Sequence, residues 1–140
     1  MLKNNGTIKG WFRPDNGQWS AQSDSRLKKN IVSMGTVLKK VLSLNVMSYQ
    51  MIYNNPANNR SFGLIVQEVK EIFPEIVDET PSVADKSIPG TLNYQMGISY
   101  SQIGVIAIKA IQEQQQIIEQ QQKQIDMLVN KLNALEKRNN

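Results

Sequence analysis

The chain contains no cysteine and no histidine among its 140 residues. Without cysteine there are no disulfides and no thiol catalysis, and without either residue there is no Cys/His metal site. The lack of histidine also removes the usual Ser-His nucleophile pair. Any nucleophilic chemistry here needs another base. Lysine is the natural candidate, because a desolvated lysine gives up its proton more readily. Aromatic residues make up only 6% of the chain, so the core is expected to be small and aliphatic. No apolar run reaches the roughly 18 residues that span a bilayer, and no membrane partner is expected. The formal net charge is +4, but Lys and Arg are scattered and form no basic block. A nucleic-acid partner is therefore not expected either. No phosphate-loop motif occurs, which argues against that type of nucleotide site. Neither a cofactor nor a metal is expected.

The residues that are present divide the chain into stretches of different period. Residues 1–22 read as β-hairpin material. Thr7 to Arg13 is a strand, Pro14-Asp15-Asn16-Gly17 is a turn, and Gln18 to Ala21 returns as a second strand, so that Trp11 and Trp19 could meet across the hairpin. The polar start, Leu2-Lys3-Asn4-Asn5-Gly6, is unlike a signal peptide and suggests that residue 1 opens a fragment of a longer chain. From Leu27 to Leu44 the period becomes helical, with Ile31, Met34, Val37, Leu38, Val41 and Leu42 at spacings of three and four. Gly35 weakens that helix. Val46 to Tyr53 reads as a strand and Asn54 to Asn59 as a loop. Phe62 to Val66 reads as a short strand leading into a helix that carries Val69, Ile72 and Phe73 and stops before Pro74. Asp78 to Gly90 reads as irregular, and Ile98 to Tyr100 as briefly extended.

The last forty residues differ in kind. From Ser101 to Leu135 there is no proline, and Gly104 is the only glycine. Ile111, Ile118, Ile125 and Leu132 fall seven apart, with Gln114, Gln121, Leu128 and Leu135 in the partner positions. This is a heptad repeat with a mixed apolar and glutamine seam. A helix of 35 residues is about 50 Å long, more than a domain this small can cover, so self-association in two or three strands is expected. The chain as a whole reads as α+β: a small mixed helix/strand domain with short β-hairpins, followed by a long C-terminal helix.

Ser23 and Lys28 are the pair that could carry nucleophilic catalysis, with a neutral lysine amine taking the serine proton. The plainer reading is that Ser23 or Asp24 caps a helix beginning near Arg26 and that Lys28 is solvated. Residues five apart lie about 140° apart around a helix and on opposite faces of a strand. Regular structure would thus separate the two. They can meet in a turn ahead of the helix, or across two chains.

Ser23-Asp24-Ser25-Arg26-Leu27-Lys28-Lys29-Asn30-Ile31 resembles the S-D-x-R-x-K-x-N-I signature that opens the endosialidase-type intramolecular chaperone domain of phage tailspikes, tail fibres and neck appendages. Gly63-Leu64-Ile65-Val66-Gln67-Glu68-Val69 with Phe73-Pro74-Glu75-Ile76-Val77 is similar to the family's G-x-I-A-Q-E-V…P-E-V-V block. Tyr100-Ser101-Gln102-Ile103 with Ala110-Ile111-Gln112-Glu113 is similar to its Y-x-x-L…A-I-x-E stretch. Val66 departs from the usual alanine, and Gly104 sits in the first turns of the terminal helix.

The resemblance implies a homotrimer whose terminal helices form a trimeric coiled coil through Ile111, Ile118, Ile125, Leu128, Leu132 and Leu135. It implies that the domain assists folding of a fibre upstream in the same polypeptide and then cuts itself off between Gln22 and Ser23. Ser23 would be the nucleophile, Lys28 the general base, and Asp24, Arg26 and Asn30 orienting residues. Residues 1–22 would be the end of the β-rich fibre, 23–100 the globular chaperone and 101–140 the coiled coil. Assembly would take place in the host cytoplasm, with the fibre kept in the virion and the chaperone released. The alternatives are a trimerising cap that never cleaves, a membrane-anchored transcription-factor precursor and a nucleic-acid-binding protein.

Overall fold

The computed structural model describes residues 2–4, 7–15, 18–52, 55–81 and 94–139. They form two compact units, Met1–Met34 and Gly35–Asn140.

The first unit is an antiparallel three-stranded sheet, β1 (Leu2–Asn4), β2 (Thr7–Arg13) and β3 (Gln18–Ala21), in sequence order. The expected hairpin forms between β2 and β3, but its register pairs Trp19 with Phe12 and Trp11 with Ser20. The side chains of Trp11 and Trp19, which the sequence suggested could meet across the hairpin, lie outside what the structure describes.

Directly beyond β3 the structure departs from the sequence expectation. The helix expected from Leu27 to Leu44 is two short pieces, a 3-10 turn at Ser25–Leu27 and α1 at Leu38–Leu42. Between them, residues 28–37 are irregular. Asn30 interrupts the run with a left-handed backbone, φ 54°, which no α-helix accepts. Ile31 and Val32 add adjacent β-branched residues, and Gly35 adds backbone freedom. Ile31, Val32 and Met34 are exposed, whereas Val37 is buried. The apolar spacing was real only from Val37 onward.

In the second unit, β4 (Met47–Gln50) pairs antiparallel with β5 (Arg60–Gly63). Helix α2 (Val66–Ile72) ends ahead of Pro74, which opens a 3-10 turn through Ile76, a position where proline's missing N–H costs nothing. Then β6 (Val77–Pro81) pairs with β7 (Tyr94–Ile98). Residues 78–81 had read as irregular, because Asp, Glu and Pro are poor strand formers. Their strand is imposed by a partner more than ten residues away. The remainder of that irregular stretch, 82–90, lies outside the described residues. Helix α3 runs from Tyr100 to Asn139, about 60 Å at 1.5 Å per residue.

The core is small. Val37, Val69, Phe73, Ile76, Ile106 and Ala110 are its buried members, so α1, α2 and the first turns of α3 meet there. The Lys40 ammonium lies over the Phe73 ring, 5.3 Å from its centroid. The opening of α3 is tied to the β4–β5 pair by Tyr100, whose hydroxyl accepts a hydrogen bond from the Leu64 N–H at 3.1 Å. Gly63 makes room for this. A Cβ there would lie 2.7 Å from the Tyr100 hydroxyl and 3.1 Å from that of Tyr49. Gly63→Ala is expected to displace Tyr100 and to lower stability by about 1–3 kcal/mol, read by thermal denaturation. The double variant Gly63→Ala/Tyr100→Phe should lose little more than the single one, because the bond is already broken.

One electrostatic contact links α1 to α3. The Glu113 carboxylate accepts from the Val37 N–H at 3.0 and 3.2 Å and from the Leu38 N–H at 3.0 Å. It thereby caps the N-terminus of a helix that has no side-chain cap of its own. These bonds, the Leu38 N–H first, hold the Glu113 carboxyl below its ordinary value of 4.5, partly offset by desolvation, with Lys109 a smaller contributor. Because the folded value is depressed, the contribution to stability is full above the ordinary carboxylate range and is lost as pH falls through the depressed value. Glu113→Gln should therefore lower the melting temperature at about pH 6, and the gap to wild type should close in acid.

Candidate functional site

Ala21 ends β3, and after Gln22 and Ser23 the chain is extended at Asp24, at φ −64° and ψ 132°. The turn Ser25–Leu27 follows, and Lys28 is extended again at φ −112° and ψ 146°. The turn is closed by backbone bonds from Leu27 N–H to the Asp24 carbonyl and from Lys28 N–H to the Ser25 carbonyl, both 3.1 Å. A single tight turn between two extended residues does what neither a helix nor a strand can do at this spacing. The Lys28 ammonium reaches back and donates to the Ser23 hydroxyl at 2.8 Å. The two side chains meet within one chain.

Asp24 holds the turn in shape. Its carboxylate accepts from the Arg26 backbone N–H at 2.9 Å, as an N-cap does. The same carboxylate takes the Arg26 guanidinium in a fork, with Nε at 3.0 and 3.2 Å and Nη2 at 2.6 Å. The guanidinium, and after it the backbone bond, hold the Asp24 carboxyl below the usual range, and Asp24 in turn raises Arg26. The pair is exposed, so its worth is geometric more than energetic. Among the described residues, neither partner hydrogen-bonds to Ser23 or Lys28. Their bonds lie within the turn that separates the two. Among the described residues, Asn30 likewise hydrogen-bonds to neither. Its left-handed φ bends the chain two residues after Lys28, a conformation asparagine accepts far better than most residues.

An open cleft of about 510 Å³ lies beside the turn, lined by Gln22, Ser23, Asp24, Arg26 and Leu27. It gives water access to the Gln22–Ser23 peptide. A serine hydroxyl in contact with a lysine amine, next to a peptide bond and open to water, is a set of groups suited to acyl transfer.

The heptad residues Ile111, Ile118, Ile125, Leu128, Leu132 and Leu135 all lie on α3 and are all half or more exposed in the single chain, apart from Ile118 at 49%. Sequence reasoning missed Glu113. It did carry a signal: Ile103, Ile106, Ala110 and Glu113 share one face at spacings of three and four, and a carboxylate ending an apolar stripe calls for a buried donor.

A search of curated proteins finds no match to the chain. A peptidase-family model described as the chaperone of endosialidase matches residues 23–78, from Ser23 through the turn, α1 and α2 to the start of β6. Residues 23–78 of this chain are thus similar to the chaperone of endosialidase, and the rest of the chain lies outside that match.

Proposed function

We propose that this chain assembles as a homotrimer through α3, guides folding of the polypeptide N-terminal to residue 23, and then releases itself by cutting between Gln22 and Ser23. The observation that carries the reading is the 2.8 Å contact between the Lys28 amine and the Ser23 hydroxyl across a capped turn. The family match beginning at Ser23 supports it. In its charged form Lys28 donates to the hydroxyl. In its neutral form the same distance lets the hydroxyl donate to the amine, which then takes the proton. The Ser23 oxygen adds to the Gln22 carbonyl, and the C–N bond breaks as the proton passes to the Ser23 nitrogen. An ester between Gln22 and the Ser23 hydroxyl remains. Water from the open cleft hydrolyses it, leaving a Gln22 carboxylate and a free N-terminal Ser23. Each chain reacts once.

The chaperone role follows from the folding problem upstream. Intertwined β-fibres fold slowly because their contacts are non-local. Three chains held together by a coiled coil raise the effective concentration of the segments that must pair. Cleavage then removes the route back, leaving a fibre whose persistence is set by its unfolding barrier. In this reading the upstream segment is a phage fibre or spike matured in the host cytoplasm, and residues 1–22 are its last part. Mass spectrometry of the purified chain tests the proposal. A fragment beginning at Ser23 is expected, and only intact chains after trimer assembly would leave a non-cleaving trimeric cap as the better reading.

Asn30 has a defined part in this scheme. Asn30→Gly keeps access to positive φ and should cleave within about threefold of wild type, whereas Asn30→Val forces a β-branched residue to φ 54° at about 1–3 kcal/mol. The turn would relax, and cleavage should slow about tenfold or more. Equal rates for the two variants, followed on gels over time, would show that the bend is dispensable.

A further inference from the structure

The heptad seam of α3 is uneven. In its second half the partner positions are Leu128 and Leu135, but in its first half they are Gln114 and Gln121. Glutamine at a core position costs stability, so the first two heptads should be the weak part of an assembly. The fold places α1 beside just those two heptads. Ile111, Gln114, Ile118 and Gln121 form one wall of an open apolar groove, and Leu38, Val41 and Leu42 of α1 form the other. Leu42 is 75% exposed on its rim.

Five residues are too few to form a helix on their own, and α1 is fixed from outside. Glu113 caps its N-terminus from α3, Val37 is buried, Leu38 and Val41 pack partly against the core, and Lys40 sits over Phe73. Its outward leucine is therefore held in a set position and is not a side chain on a loose loop. We propose that α1 is the missing apolar half of the seam. The groove between α1 and α3 receives the α3 helix of a second copy of this chain, and Leu42 packs against that copy's Ile111 and Ile118 layers. The inference rests on the self-association proposed above and goes beyond it, because it assigns an interface role to a residue outside the heptads. The occupant is a second copy and not a foreign partner, because the groove wall is itself the heptad face and continues in register along the rest of α3.

The test uses the full chain in a Ser23→Ala background, so that cleavage does not change the species present. Sedimentation over a range of concentrations gives the dissociation midpoint. Leu42→Asp should raise it about tenfold or more, the scale expected when a leucine per chain is no longer buried. Gln121→Leu added to Leu42→Asp should recover most of the loss by supplying apolar surface within the seam. Ile125→Asp serves as the reference for the seam itself. If Ile125→Asp dissociates the assembly while Leu42→Asp leaves the midpoint unchanged, the role of α1 is overturned and the seam stands. If neither variant shifts it, both fall. If Leu42→Asp shifts it and Gln121→Leu gives no recovery, Leu42 acts outside the seam and the inference is also overturned. Circular dichroism at concentrations where all forms are monomeric checks that the fold is kept. Leu42→Gln replaces Leu42→Asp if it is not.

Discussion

Ser23→Ala should leave the protein as one 15.9 kDa chain under conditions in which the wild type is fully converted to two fragments. The substitution removes the hydroxyl that the structure holds against the Lys28 amine, on the residue that follows Gln22. Without it the peptide bond falls back on uncatalysed hydrolysis, so loss should be complete on any practical timescale. Lys28→Ala keeps the nucleophile and removes the base. A positioned general base is worth about 10²–10⁴ in rate, and cleavage should fall by about that factor. Lys28→Arg should be as inactive as Lys28→Ala, since a guanidinium keeps its proton and cannot accept another. This last variant separates chemistry from structure, because it preserves the positive charge and can still donate to the Ser23 hydroxyl. If Lys28→Arg cleaves normally, lysine is not the base.

The same pair decides whether catalysis is within or between chains. The turn brings Ser23 and Lys28 together in one chain, so co-assembled Ser23→Ala and Lys28→Ala chains should remain uncleaved. Neither chain then carries a complete pair. Cleavage of the Lys28→Ala chains in such a mixture would require a lysine supplied by a neighbour.

How much of this was legible depends on the range of the interactions involved. Helix α3 was readable because its signal repeats over forty residues and depends on nothing else in the chain. The end of α2 at Pro74 and the β2–β3 hairpin were readable because their causes are local. The long helix expected across residues 27–44 was misread because apolar spacing outweighed two local facts, Asn30 in a left-handed conformation and the β-branched pair Ile31-Val32. Strand β6 was hidden because Asp78 and Glu79 take their conformation from β7. The Glu113 clamp joins residues 75 and 76 positions apart, and spacing rules do not reach that far. The site stood between these cases. The spacing of Ser23 and Lys28 argued against any regular element and left a turn or a second chain open, and Asp24 capping its own short turn is the local reason that the turn forms.

Ile125→Asp should break the assembly and stop cleavage with it. In a trimer, three isoleucines meet in one layer, and each is worth about 2 kcal/mol when buried. The substitution removes about 6 kcal/mol per layer before counting three carboxylates forced together out of water. That is a loss of about four powers of ten in the assembly constant, enough to leave monomers at micromolar concentration. Ile125 is 52% exposed in the single chain and not part of the small core around Val69 and Phe73, so the monomer should keep its own fold and helicity. The consequence for cleavage is less direct and more informative. The Ser23–Lys28 contact forms without any second chain, but both residues lie open to solvent there. Acyl transfer by a lysine base is favoured when water is excluded and the neutral amine is preferred. A neighbouring chain is the natural source of that cover. Monomeric Ile125→Asp should thus hold the right two atoms together and still cut about a hundredfold more slowly or worse. If the monomer cleaved at the wild-type rate, the turn alone would suffice, and assembly would serve the folding of the fibre without timing its release.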